Sequence, residues 1–336
     1  MSAIETQPAA STSWRRETRP AGILGFGAAR ASKVVTSAEV AERLGLTEDW
    51  IVDRTGVRER RVLDLDAGEA LLDLVAPSSR DALEVAGRNA EEIDTVIVAT
   101  ITPDNVFPAQ AVALADAIGV PERAVVYDLS AACTGFVTAL GQAAAAVETG
   151  RSKLALVVGA DALSRVTPWD DPKSAPLFGD AAGAVVVGGV EQGGIGPLIG
   201  GFDHQYRILH SERDDGNVIR MRGRETYSNA VSRMSEVTIE ALAAIGKTLD
   251  DMTMLVAHQA NIRIVEALGE KLDLRDDQVS VQIADVGNTS AASVPFALRR
   301  EYDAGRFADG GLIVMSGFGG GFAYSSITCE LEGLAP

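Results

Sequence analysis

The chain has 336 residues, 46% of them hydrophobic, which is enough for two packed α/β halves sharing a large core. Its formal net charge of −17 excludes the broad basic face that nucleic acid requires. Two cysteines cannot form a disulfide framework, which fits a reducing cytoplasmic compartment, and three histidines without HExxH or CxxC spacing exclude a metal centre.

Residues 1–20 are polar and Ala/Ser/Thr-rich, lack the apolar core of a secretory signal, and are expected to form a flexible tail. No apolar run reaches the length of a membrane span, so no membrane partner is expected. Ala21–Ala29 (AGILGFGAA) reads as a first strand and turn. Arg30 stands where a dinucleotide fingerprint would need its third glycine, so no nucleotide is implied. Thr36–Leu44 is a short helix capped by Thr36 or Ser37. The stretch Glu48–Arg61 (EDWIVDRTGVRERR) gathers Trp50, Arg54, Arg58, Arg60 and Arg61 in an otherwise acidic chain. Guanidinium groups pair with phosphates and an indole stacks on a flat ring, so the cluster suits a phosphorylated, base-bearing ligand; a solvated surface turn is the alternative.

Gly68–Ala86 reads as an amphipathic helix and Asp94–Thr100 as a buried strand. The loop TPDNVFPAQ then carries Phe107, which either packs locally or reaches a pocket mouth or a partner subunit. The helix Gln110–Ile118 leads to Ala124–Leu129, read as a buried strand, and to DLSAACTGF. A small-residue helix starts just after Cys133. Free N–H groups at a helix start lower a thiol's pKa, although a buried structural cysteine is an equally good reading of this stretch alone. Lys153–Gly159 is the next strand, and Leu177–Gly189 is a Gly-rich turn running into another.

The second half begins near Ile195. It contains a helix at Tyr227–Ile245, a strand ending at His258, a helix at Asn261–Leu272 and a strand at Val279–Ile283 leading into ADVGNTSAAS. The helix Ala292–Ala304, the strand GLIVMSGFGGGF and the last strand Tyr324–Leu331 follow. The order strand, helix, strand, small-residue helix, strand thus occurs twice. It predicts a duplicated α/β unit with halves at 21–192 and 193–336. In that register Cys133 corresponds in place to Asn288, both facing one pocket near a pseudo-twofold axis. A thiolate forms thioesters, the His258 imidazole can shuttle a proton or donate to an oxyanion, and the Asn288 amide can stabilise an enolate without titrating. The glycine run Ser316–Phe322 can bring a backbone N–H beside that of Cys133.

The stretches DWIVDRTGVRER, SAACTGF, LFGDAAGAVV, AHQANIRI, GNTSAASVP and GFGGGF follow one another in an order that resembles the β-ketoacyl-acyl-carrier-protein synthase III family of condensing enzymes. The resemblance runs from about Ala21 to the end. It implies an α/β, thiolase-like fold in which duplicated layer units sandwich sheets between helices (αβαβα). It implies that Cys133 accepts the acyl group, and that His258 and Asn288 hold the thioester carbonyl while a malonyl group decarboxylates. The N–H groups of Cys133 and Gly320 would then form the oxyanion hole, and Phe318 would crowd the leaving carboxylate. Trp50 and Arg54 match positions that grip coenzyme A. Phe107 matches a residue that crosses a homodimer to close the partner's acyl pocket, whose width would also depend on Leu163. Arg263 matches one position of the carrier-protein dock, and Lys271 stands next to another. The implied substrates are an acyl-CoA and malonyl-acyl-carrier protein, coenzyme A entering as a thioester substrate with no separate cofactor.

A Cys-His-Asn set separates the chain from elongating synthases with two histidines, and GFGGGF from chalcone-synthase-like enzymes with a proline in the run. Two departures concern partners. Ser228 and Glu270 stand where relatives carry lysine, and the loop DDPKSAP lacks an adenine-stacking arginine, for which Trp169 or Lys173 would substitute. The expected activity is acyl transfer to Cys133 followed by decarboxylative condensation to a 3-ketoacyl thioester, initiating fatty acid or polyketide synthesis. The alternative is a non-decarboxylating acyltransferase of secondary metabolism acting on a hydroxyl or amine.

Overall fold

A computed structural model of the chain describes residues 19–212 and 216–336; nearly all of the expected tail, residues 1–18, lies outside the described residues. Two five-stranded sheets carry the molecule. In the first, the order is Ala21–Arg30, Asp180–Gly189, Leu154–Ala162, Thr95–Ala99, Val125–Leu129, antiparallel over the first three and parallel over the last three. In the second, Gly194–Ile195 and Ile199–Phe202 both pair with Ala323–Leu331, which is followed by Gly311–Gly319 and Met254–Ala257. Here again the pair beside the antiparallel turn-back is parallel. The strand Leu154–Ala162 is buried along its whole length, as expected for a sheet covered on both faces.

The helices Gly135–Glu148 and Ser293–Asp303 form the middle layer, and their apolar faces share one core with strands of both sheets. Leu72–Val85 and Gln110–Ile118 cover the first sheet; Gly223–Ala244 and Ile262–Lys271 cover the second. This is the expected αβαβα stack. Several helices start on caps that the sequence places far away. The Asp104 carboxylate accepts the N–H groups of Leu71 and Leu72, so that helix begins at Leu72 rather than Gly68. Asp128 likewise accepts the N–H groups of Gln110 and Ala111. Such carboxylates satisfy otherwise orphaned donors and favour the positive end of the helix.

Three expectations are corrected. Val125–Leu129 is not buried: it is the edge of its sheet, with Val125 61% exposed. Val279–Ile283 is not a strand. Val279 makes an isolated parallel bridge to Leu255, and beyond it the Gln259 side chain takes the backbone groups a ladder would use, donating to the Ser280 carbonyl and accepting the Gln282 N–H. Finally, Cys133 is not the counterpart of Asn288. The helix Gly135–Glu148 is preceded by the turn Ala132–Thr134 and the helix Ser293–Asp303 by Ser290–Ala292. Each turn opens on a non-glycine residue in the left-handed region, Ala132 at φ 46° and Ser290 at φ 51°. The register therefore pairs Cys133 with Ala291, and Asn288 lies three residues earlier.

The GFG of the first strand is explained by packing. A Cβ on Gly27 would sit 2.0 Å from the Ser78 carbonyl oxygen, and one on Gly25 2.4 Å from that of Ala82. Both glycines let the helix Leu72–Val85 lie directly on the strand. Gly27→Val is therefore expected to lower stability by ~1–3 kcal/mol or more, read as a lower urea midpoint at unchanged slope.

Candidate active site

Cys133 lies in the turn between the edge strand Val125–Leu129 and the central helix Gly135–Glu148. The end of Gly311–Gly319 crosses so close that a Cβ on Gly319 would meet the Cys133 Cβ at 2.6 Å and its Sγ at 3.0 Å. That approach brings the Gly320 N–H to the thiol, together with the N–H of Cys133 itself. Both donors favour the thiolate, but burial wins. It pushes the thiol up to about 11, aided by the negative Asp161. The helix-start environment expected to lower this pKa is thus outweighed by desolvation of the charged form.

His258 follows the strand Met254–Ala257, its backbone N–H fixed on the Ser316 carbonyl at 2.8 Å. Its Nδ1 lies 2.6 Å from Ser293 Oγ, which also accepts the Gln259 N–H. Among the described residues Nδ1 is the one acceptor in reach of the Ser293 hydroxyl proton, which assigns the ring proton to Nε2. Burial pushes the imidazole down to about 3, so it is a neutral donor. Asn288 is held at both ends of its backbone, its N–H on the Leu177 carbonyl and its C=O receiving the Gly179 N–H. Its Oδ1 accepts the Ser290 N–H at 2.9 Å, which leaves Nδ2 as the free donor. The site therefore offers two neutral donors beside a half-buried cysteine whose thiol is held in its protonated form.

Cys133, His258, Asn288 and Phe318 all line one cavity of about 450 Å³. Phe318 is buried and packs edge-to-face on Phe322. Trp50, with Arg54 stacked 4.3 Å over its ring, lines the same cavity. Lys173, Arg224 and Arg263 join Arg54 around it, all exposed, and among the described residues none of the four makes an ion pair. Lys173, not Trp169, reaches this site: Trp169 lies elsewhere, its indole N–H on the Ser164 carbonyl. Arg224 was not anticipated, because a single arginine at a helix start carries no pattern.

Other expected residues fall outside the cavity. Arg60 is fully buried and donates to Val35 O, Ser37 Oγ and Pro176 O, so it cannot serve a phosphate. Arg61 pairs with Glu59. Leu163 is buried one layer back, packed with Leu177, Leu209 and Met221, which do line the cavity. Phe107 is 85% exposed and does not line it. Lys271 is exposed at the far end of the helix on which Arg263 reaches the cavity.

Residues 127–199 match the 3-oxoacyl-acyl-carrier-protein (ACP) synthase III family, and residues 242–331 match its C-terminal part. A β-ketoacyl-acyl-carrier-protein synthase III of Geobacillus kaustophilus is 42% identical over 91% of this chain and 97% of its own length. One of Rhizobium meliloti is 39% identical over the same shares. Among solved structures, 3-oxoacyl-acyl-carrier-protein synthase III from Aquifex aeolicus superposes with a TM-score of 0.88 at 35% identity, covering 92% of this chain and 99% of that one. The priming β-ketosynthase of the R1128 polyketide pathway gives 0.90 at 37% identity, covering 97% and 100%. With relatives this similar matched over nearly their whole length, the chain belongs to the β-ketoacyl-acyl-carrier-protein synthase III family, with its thiolase fold.

Proposed function

We propose that this protein is a ketosynthase III that takes an acyl group from acyl-CoA onto Cys133 and condenses it with malonyl-acyl-carrier protein. The observation that carries the reading is the convergence of a thiol, two backbone donors and two neutral side-chain donors on one cavity. The Cys133 sulfur attacks the thioester carbonyl, the N–H groups of Cys133 and Gly320 hold the resulting oxyanion, and coenzyme A leaves. A malonyl thioester then binds with its carbonyl oxygen on His258 Nε2–H and Asn288 Nδ2–H. Loss of CO2 leaves its electron pair in an enolate that these donors stabilise, while the apolar ring of Phe318 disfavours the departing carboxylate. The enolate carbon attacks the acyl-cysteine carbonyl and sulfur departs. Preorganised donors of this kind are worth ~10²–10³-fold each in rate.

Trp50 and the four cations around the cavity suit the adenine and phosphates of coenzyme A. Arg263 and Lys271 are the cations we assign to the carrier protein. Ser228 and Glu270 make that surface less basic, so docking there rests on fewer ion pairs and is correspondingly less salt-sensitive. The names carried by the relatives favour condensation over acyl transfer without decarboxylation. A homodimer is supported by the open edge Val125–Leu129 and by the exposed Val106 and Phe107. In such a dimer Phe107 would close the partner's cavity.

Incubated with acetyl-CoA, the wild-type protein should gain one acetyl group by intact mass and Cys133→Ala none. Asn288→Asp should still load but release labelled CO2 from malonyl-acyl-carrier protein ~10²–10³-fold more slowly. A variant that loads and never discharges to malonyl at all, with the wild type behaving alike, would replace condensation by simple acyl transfer.

The two shifted groups set the pH behaviour. With its pKa near 11 the thiol is protonated at neutral pH, so alkylation of the free enzyme by iodoacetamide should climb throughout the range up to that value. With its pKa near 3, His258 stays neutral above mildly acidic pH, so decarboxylation by the acylated enzyme should be flat from weakly acidic to weakly alkaline buffer. In sedimentation velocity the protein should run at twice the chain mass, and Val125→Lys with Tyr127→Lys should shift it to the monomer.

A further inference from the structure

In the acylation step the Cys133 proton needs a destination, and His258, held neutral down to about pH 3 by its burial, is a poor place to store it. Behind the thiol lies a carboxylate to which the mechanism has given no part. Asp161 is fully buried in the strand Leu154–Ala162. Its Oδ1 accepts Thr100 Oγ1 at 3.0 Å, the Ile101 N–H at 2.8 Å and Thr102 Oγ1 at 2.9 Å. Its Oδ2 has a single long partner, the Ala291 N–H at 3.4 Å.

Between the carboxylate and the thiol stands Ser290. The turn it opens packs against the turn of Cys133, and its backbone is held at φ 51° with the N–H tied to Asn288 Oδ1. Its hydroxyl is buried and makes no well-formed hydrogen bond, yet it lies within reach of both the Cys133 thiol and the Asp161 carboxylate. A buried hydroxyl left without a settled partner is costly, and one that can both accept and donate is a ready proton carrier.

We propose that Asp161 takes up the Cys133 proton through the Ser290 hydroxyl when an acyl-CoA thioester acylates the enzyme. The inference rests on the reading of Cys133 as the acyl acceptor. As the sulfur bonds to the carbonyl carbon, its proton passes to Ser290 Oγ while the proton of Ser290 passes to Asp161 Oδ2. When the carbon–sulfur bond to coenzyme A breaks, Ser290 Oγ–H gives its proton directly to the departing sulfur and is itself reprotonated from Asp161. The enzyme ends acylated with Asp161 again ionised, and free coenzyme A leaves as its thiol.

Burial raises the Asp161 carboxyl above its ordinary value, so its ionised form holds a proton more tightly than an exposed carboxylate does. The groups packed on it are Thr100, Ile101, Thr102, Ser290 and Ala291, none titratable, with the Cys133 thiol beyond Ser290. The Arg165 guanidinium stands one step removed, on the Thr102 carbonyl and Asp104.

The test is single-turnover acetylation of the full chain by acetyl-CoA across pH, read by quench and intact mass, with iodoacetamide alkylation of Cys133 measured in parallel. Ser290→Ala and Asp161→Asn should each slow acetylation at neutral pH by ~100-fold or more, the double variant should be no slower than the slower single, and the gap should close in alkali where the thiol ionises unaided. In Asp161→Asn the alkylation midpoint should move to lower pH, because a negative charge that raises the thiol is gone. Slower acetylation with a more acidic thiol is the signature of the relay. Faster acetylation of Asp161→Asn at neutral pH would mean that the carboxylate acts by charge alone and would overturn the proposal. So would wild-type acetylation by Ser290→Ala. Should Asp161→Asn fail to fold, Ser290→Ala still decides, since Ala132 already holds alanine in the equivalent left-handed position. If Cys133→Ala still takes up acetyl, it is the nucleophile assignment that fails, which is a separate outcome.

Discussion

Three backbones converge on Cys133 at distances that leave no room for side chains. The strand end at Gly317 and Gly319 touches the cysteine's own backbone, and the turn beginning at Ser290 presses on the other side. Gly159 in the adjoining strand is needed because a Cβ there would stand 2.2 Å from the Ala291 carbonyl oxygen. This crowding puts a backbone N–H on the thiol without a flexible side chain, so the donor costs no ordering when substrate arrives.

The same crowding governs the electrostatics. Burial outweighs the hydrogen bonds at the site, and no cation is among the groups acting on the thiol, so Cys133 and His258 are both driven toward their neutral forms. An enolate formed in such a place meets aligned dipoles rather than full charges. The cations sit around the exposed part of the cavity, where polyanionic parts of a substrate remain in contact with water. Long-range attraction and reaction chemistry are thereby separated in space. A protein of net charge −17 keeps a local basic rim without altering the neutral centre.

Much of this was legible in the sequence because strand ends and helix starts can be read from periodicity, and the reactive residues stand at those junctions. Cys133, His258 and Asn288 could be placed near one another for that reason. What escaped depends on distant partners. Arg60 looks like a member of a surface cluster until Pro176, more than a hundred positions away, supplies its acceptor. VSVQI has a strand's alternation, and only Gln259 reveals that its backbone is already engaged. The register of the two halves slipped because equivalence is set by the left-handed residue opening each turn, and alanine and serine give no hint of that conformation. Ser293 and Ser290 were passed over because a hydroxyl in a small-residue run is indistinguishable from filler until its neighbour is known.

The Gln259 side chain has an effect beyond its own strand. A duplicated fold repeats its liabilities as well as its virtues, and two unfinished sheets would present two unfinished borders. Copies joining through both would add end to end without limit, because such growth has no closing operation. In the second half the amide of Gln259 takes the Ser280 carbonyl and the Gln282 N–H, groups that face the strand Met254–Ala257 and continue the line begun by the Ser280 N–H on the Leu255 carbonyl. The border at Val125–Leu129 is left as it is. Pairing across a single self-complementary border ends at two copies.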